Sequence, residues 1–193
     1  ETEYRTNILV ISDEPYTSLV YDGCVVPFIL QIFPNSVVVN SYSKSLALPG
    51  ERIGYIAVNP SLREADSLIS GFVYANRILG FVNAPAMFQK TIAESLEESV
   101  DTDIYQERRD LIYDHLRKLG YTCIKPLGAF YLFPRALIDD DVAFVRHAAK
   151  YNILLVPGTG FGCPGYFRLS YCVSLETIKN SLPAFEALTG DFR

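Results

Sequence analysis

Two apolar runs, Val37-Val38-Val39 and Ile53 to Val58, bracket a polar stretch that is punctuated by glycine and holds one lysine: Ser41-Tyr42-Ser43-Lys44-Ser45-Leu46-Ala47-Leu48-Pro49-Gly50-Glu51-Arg52-Ile53-Gly54-Tyr55. This is the pattern of a buried strand that opens into a loop and returns as a second strand. Ligands of α/β proteins gather at such strand ends. A lysine placed there can attack a carbonyl and form a Schiff base, with serine hydroxyls and Arg52 at hand for a bound anion. A solvated loop lysine fits the same pattern.

The rest of the chain reads as alternating strands and helices. Glu1 to Arg5 lead straight into Asn7 to Ser12, which has successive apolar residues as in a strand of a parallel sheet, and Asp13-Glu14-Pro15-Tyr16 breaks it. Phe28 to Phe33 is a short apolar segment without a clear period. Ser61 stands where it could cap a helix running to about residue 79, with Gly71 as a weak point. Ala86 to Glu98 carries Met87, Phe88, Ile92 and Leu96 as an apolar stripe, which predicts a buried helix face. From Asp103 to Leu119 the signals agree: acidic caps at 101–103, apolar residues at helical spacing, and Gly120 as the stop. Residues 121–124 and 129–133 read as a hairpin-like β pair. A helix capped at 139–141, a strand at 153–156, a long turn at 157–165 and a strand at 167–171 follow. The last element is a helix from about Leu175 to Leu188, opened by Ser174 and Thr177 and ending before Gly190. The fold class is therefore α/β, with a domain boundary between residues 85 and 103.

Composition narrows the partner. The formal charge is −5 across 193 residues, which argues against a nucleic-acid surface and for a small ligand. Cys24, Cys123, Cys163 and Cys172 are far apart and have only His115 and His147 beside them, so neither a zinc site nor a disulfide framework is indicated. A reducing, cytoplasmic setting is the default, and no run is apolar enough to span a bilayer. His115, His147 and Cys163 lack partners at catalytic spacing and read as packing or surface residues.

Other residues carry potential chemistry. A carboxylate at a strand end, Asp13, can stay ionised beside a protonated ring nitrogen, or can cap a turn. Tyr16 can point its phenol into the same cleft, or simply pack. Arg168 lies mid-strand among Phe167, Leu169 and Tyr171, where burial calls for an anion such as a carboxylate; an edge or dimer salt bridge would also satisfy it.

The Lys44 stretch resembles the cofactor-lysine segment of the fold-type I aminotransferases, close to Ser-x-Ser-Lys-x-x-x-x-x-Gly-x-Arg-x-Gly-Tyr. The family's Ser-Asp-Glu-x-Tyr motif precedes the lysine by about thirty residues, as Asp13 and Tyr16 precede Lys44 here. Lys125-Pro126-x-Gly128-Ala129-Phe130-Tyr131 and Val156-Pro157-Gly158-x-x-Phe161-Gly162 match small-domain landmarks of that family. The resemblance implies pyridoxal 5'-phosphate as cofactor, Lys44 as its Schiff-base lysine and proton carrier, and Asp13 on the pyridinium nitrogen. It also implies Tyr16 on the phenolic oxygen, Ser41, Ser43 and Arg52 around the phosphate, and Arg168 on the substrate carboxylate. Glu51 departs from the pattern, since an aromatic is frequent just before that arginine. The implied architecture is part of the large cofactor-binding domain, residues 1–95, followed by a smaller α+β domain, residues 96–193. Together these form the C-terminal half of a homodimeric enzyme acting on an amino acid and a 2-oxo acid. A carbon-sulfur β-lyase of the same fold, or a non-catalytic ligand-sensing domain of a larger regulator, would carry the same landmarks.

Overall fold

A computed structural model describes residues 6–193; the lead-in at residues 1–5 lies outside them. The chain forms two compact units, Glu1–Val100 and Asp101–Arg193.

The first unit is built on a three-stranded sheet in the order β1-β2-β3, with β1 at Val10–Asp13, β2 at Ser36–Ser41 and β3 at Gly54–Val58. β1 and β2 are parallel, Val10 opposite Ser36 and Asp13 opposite Val39. β3 returns antiparallel on β2. β1 starts later than the apolar run at residue 7 implies. Parallel strands need a crossover, and here it runs from Glu14 to Asn35 with one helical turn, α1 (Ile29–Ile32). Asn59 fastens the end of β3 to that crossover, since its buried Nδ2 donates to the Leu30 carbonyl at 2.7 Å and to the Phe33 carbonyl at 3.0 Å.

Two expectations fail in this unit. Ser61 does not cap a helix: its own N–H donates to Asn59 Oδ1 at 2.9 Å, and the helix, α3, spans Ala65–Ile78 with Glu64 at its N-cap. Gly71 lies inside it without a break. The next helix, α4, spans Ala86–Ala93 and so stops short of Leu96, and its stripe is not a buried face either, because Ile92 is buried while Met87 is exposed, as is Leu96 beyond the helix. Apolar periodicity marks a face that wants cover but does not supply the cover.

The second unit has a closed core. Its antiparallel sheet has the order β4-β6-β5: Tyr131–Leu132, Phe167–Ser170 and Val156–Pro157. Three helices accompany it, α5 (Thr102–Lys118), α6 (Asp141–Ala148) and α7 (Leu175–Gly190). Each is capped by a side chain accepting a backbone N–H: Asp101 from Asp103, Asp140 from Ala143, Ser174 from Thr177. α7 continues through Gly190 rather than stopping before it. Tyr121 is fully buried, with edge-on contacts to Phe144, Phe167 and Phe185 at centroid distances of 6.3, 5.9 and 6.4 Å. Such aromatic pairs add stabilisation beyond the area they bury.

The expected hairpin at 121–124 and 129–133 does not form. Residues 121–124 are not a strand, and Tyr131–Leu132 pairs instead with Ser170 and Leu169. The strand expected at 153–156 is likewise shortened and shifted to Val156–Pro157. Arg109, fully buried on α5, explains how the 125–130 segment is held: its Nη1 donates to the Pro126 carbonyl at 2.8 Å, and Asp110 binds both Arg109 and Lys125 at 2.8 Å. A buried guanidinium is tolerated when its charge is paired in this way.

Candidate active site

In the first unit the residues of interest collect where β1 and β2 end. Asp13 is the last residue of β1 and is exposed; Tyr16, three residues on, is half-buried. β2 runs two residues beyond the Asp13–Val39 pair and ends at Ser41. Ser41 then caps the short helix α2 (Tyr42–Ser45): its Oγ accepts the Ser43 N–H at 3.1 Å and donates to Ser43 Oγ at 2.7 Å. Asn40 Oδ1 accepts the Ser41 N–H at 2.7 Å, which sets the angle at which the chain leaves the strand. Lys44 stands in this turn with Nζ 5.7 Å from the centroid of the Tyr16 ring. A phenol face attracts a cation at that range, so the two post-strand segments meet through a lysine and a tyrosine.

The return strand is pressed against this turn. Gly54 pairs with Ser41, and a Cβ at Gly54 would collide with the Asn40 carbonyl oxygen, so only glycine fits. Gly50, by contrast, has open space around it and no unusual φ. Tyr42 and Tyr55 rings lie 5.7 Å apart; burial, and then Tyr55, push the Tyr42 phenol above its ordinary pKa. Arg52 is exposed, adopts a left-handed φ of 53°, and donates from Nη1 to the Pro49 carbonyl at 2.7 Å. That bond folds the arginine back on its own loop.

A cavity of about 840 Å³ in this unit is lined by Tyr42, Arg52, Gly54, Phe72 and Ile92 among others, but by none of Asp13, Tyr16, Ser41, Ser43 or Lys44. Of the candidate residues Arg52 lines the cavity and the rest do not, so the cluster of chemical groups, rather than the volume, marks the site. An amine, a phenol, a carboxylate and a hydroxyl pair at one strand end are a donor set that suits a ligand bearing an aldehyde, a ring nitrogen and an anion.

In the second unit Arg168 lies on the central strand β6 with Phe167 and Leu169 turned into the core and Arg168 on the other face, as the alternation predicts. Its Cζ is 4.6 Å from the Tyr131 centroid and 4.4 Å from the Phe161 centroid. Phe161 ends a 3-10 turn, Gly158–Phe161, that the Asp141 carboxylate pins by accepting the Thr159 N–H and the Thr159 hydroxyl, each at 2.7 Å. These hydrogen bonds hold the Asp141 carboxyl below its ordinary pKa of 3.8. Tyr131 and Phe161 fall inside the two landmark segments quoted above, but residue type alone gave neither a role. Asp141 read only as a helix cap, because its partner Thr159 is distant in sequence.

His147 pairs with Asp191 at 2.5 Å, and His115 Nε2 lies 3.0 Å from the Leu182 carbonyl. All four cysteines are free thiols. Among the described residues no His, Cys, Asp and Glu cluster could hold a metal, and no helix is long and apolar enough to cross a membrane.

The profile of the family described as "Aminotransferase class I and II" matches residues 2–185. The chain belongs to that family. It is 33% identical over 190 residues to the aspartate aminotransferase of Geobacillus stearothermophilus, a match covering 91% of this chain and 47% of that protein. The crystal structure of an amino transferase from Eubacterium rectale superposes with a TM-score of 0.94 at 46% identity, covering all of this chain and 48% of that one. The aspartate aminotransferase of Thermotoga maritima superposes at 0.81 with 31% identity, covering 98% of this chain and 50% of that one. These are fold-type I structures, and the α/β class read from the sequence is theirs. The chain spans about half the length of the relatives it matches.

Proposed function

We propose that this chain is the C-terminal half of a pyridoxal-phosphate-dependent aminotransferase that moves an amino group between an L-amino acid and a 2-oxo acid. The observation that carries the reading is Lys44, held over the Tyr16 ring beside the Ser41–Ser43 hydroxyl pair, in a chain whose named relatives are transaminases. Residues 1–95 would then belong to the large cofactor-binding domain and 96–193 to the small one, in a cytoplasmic homodimer. The four free thiols accord with a reducing compartment.

When bound, pyridoxal phosphate supplies an electron sink for the bonds of the substrate α-carbon. Lys44 Nζ would be the amine that holds the cofactor and, when free, the base that carries the substrate's α-proton. Asp13 would face the ring nitrogen and favour its protonated form. Tyr16 would offer its O–H as a hydrogen-bond donor to the ring oxygen. The Ser41 and Ser43 hydroxyls and the Arg52 guanidinium hold the phosphate; Arg52 must exchange the Pro49 carbonyl for it or share its remaining donors. Arg168 takes the substrate α-carboxylate edge-on.

Titration of the chain with pyridoxal phosphate, followed by absorbance at the edge of the visible, tests the assignment. A band present in the wild type and lost in Lys44→Ala, with unchanged circular dichroism, is the expected result; a band indifferent to the substitution defeats it. Transamination is separated from β-elimination by its need for a 2-oxo acid acceptor. Release of pyruvate and ammonia from cystathionine, without amino transfer, would contradict the first choice.

A further inference from the structure

Two aromatic rings close on the Arg168 guanidinium. Tyr131 comes from β4 and Phe161 from the turn after β5, and their ring centroids lie 4.6 and 4.4 Å from the same Cζ. The sheet order explains the convergence: β6 is central, Tyr131 pairs with Ser170 next to Arg168's side of the strand, and Val156 pairs with Arg168 just before the turn that ends in Phe161. Within the second unit no carboxylate among the described residues forms an ion pair with Arg168.

Both rings are themselves anchored. Phe161 meets Phe133 edge-on at 6.0 Å, and Phe133 stacks on Tyr166 at 5.8 Å. The turn beneath Phe161 is fixed by the Asp141–Thr159 bonds and by Gly158, where a Cβ would collide with the carbonyl oxygens of Cys163 and Tyr166. Tyr131 packs on Phe130 at 4.8 Å.

We propose that Tyr131 and Phe161 are positioning residues that sandwich the Arg168 guanidinium and leave its edge as the receptor for a planar carboxylate. The inference rests on the carboxylate role given to Arg168 above and adds how that role is built. Guanidinium faces favour aromatic rings, and guanidinium edges favour bidentate carboxylates. A sandwiched arginine has lost most of its rotamer freedom before the ligand arrives, so less entropy remains to be lost on binding. The arrangement also explains why the long glycine-rich turn is tied down by a buried carboxylate although no ligand-binding group of its own is evident: its task is to place Phe161.

The test is arginine-side-chain nitrogen NMR on the chain, with the Arg168 signal assigned by its loss in Arg168→Lys. The Nε–H proton should resonate upfield, shielded by two rings. Phe161→Leu and Tyr131→Leu should each move it toward the ordinary position, and Phe161→Tyr should restore it. Succinate titration at the same resonance should saturate in the wild type and be weakened about three- to tenfold in Phe161→Leu, with recovery in Phe161→Tyr. Phe161 is half exposed, so circular dichroism should be unchanged in its variants. An Arg168 signal that neither ring substitution moves, or succinate affinity equal in wild type and Phe161→Leu, overturns this inference alone. A shielded Arg168 that succinate never perturbs overturns the carboxylate role and the inference with it.

Discussion

The two units bury apolar side chains to different extents. In Asp101–Arg193 a large apolar cluster turns inward: Tyr121, Phe144, Phe167, Phe185, Leu116 and Leu188 are almost wholly removed from solvent, although Ile124 and Leu154 stay exposed. Among the described residues of Glu1–Val100 the buried apolar set is small, Leu19, Tyr21, Val37, Val38, Ile53 and Ile92, while Ile11, Ile56, Val73, Phe81 and Met87 stay exposed. The first unit nonetheless bears the lysine, the carboxylate and the hydroxyls. The Lys44 cluster therefore sits on the unit whose own core is thin, and Arg168 on the unit with the fuller core. Burial of apolar area is the main favourable term in folding, at about 25 cal/mol per Å². The second unit has collected that term within itself, and the first has left much of it unclaimed.

Several substitutions would break or sharpen this contrast. Phe185→Ala in the closed core should cost about 3–5 kcal/mol in chemical denaturation, because the cavity adds to the lost burial. A cost below about 1 kcal/mol would mean that the core is less tightly packed than the Tyr121 contacts indicate. Gly158→Ala should follow at about 1–3 kcal/mol, since the new Cβ meets two backbone carbonyls that cannot step aside. Removing the α6 cap with Asp140→Ala should cost about 1 kcal/mol, the usual worth of an N-cap.

A further effect is confined to acid. The Asp141 carboxyl is lowered from 3.8 by its bonds to Thr159, so its contribution is complete above the ordinary value and is lost as pH falls through the lower, folded one. Thermal melts of wild type and Asp141→Asn should therefore converge at the acid end and separate as pH rises past that range; a constant offset would contradict the assignment. The smallest change belongs to the open unit. Ile11→Ser on the exposed side of β1 should shift stability by no more than about 0.5 kcal/mol. A clear loss, rising with protein concentration in the wild type, would show that a second copy covers this face in solution.

The same contrast governs what could be read from the sequence. Local signals served well where structure is local. Asp101 and Gly120 bracket α5 because caps act within a turn of the helix end, and the alternation at 167–171 placed Arg168 on the face opposite Phe167. Long-range pairing was not legible: nothing near Tyr131 announces Ser170 as its partner, so two neighbouring aromatic segments looked like a hairpin. Nor is cover legible: the apolar spacing of Met87, Phe88, Ile92 and Leu96 predicts a buried face, whereas Met87 and Leu96 are exposed and the helix ends at Ala93. In the site, the motif marked Lys44, Asp13, Tyr16, Ser41, Ser43 and Arg52, and the structure adds what motifs omit. Ser41 is also a cap, Arg52 bonds to Pro49, Asn40 and Gly54 shape the turn, and Phe161 stands over Arg168.

The central claim is that Lys44 is the residue to which the cofactor attaches, and it is tested most directly by chemical trapping. The chain is mixed with substoichiometric pyridoxal phosphate, reduced with borohydride and mapped by peptide mass spectrometry. The account predicts that the label concentrates on Lys44 and that Asp13→Ala, which removes the carboxylate proposed to face the ring nitrogen, lowers its yield. Label spread evenly over the surface lysines, or concentrated on a lysine other than Lys44, would contradict it.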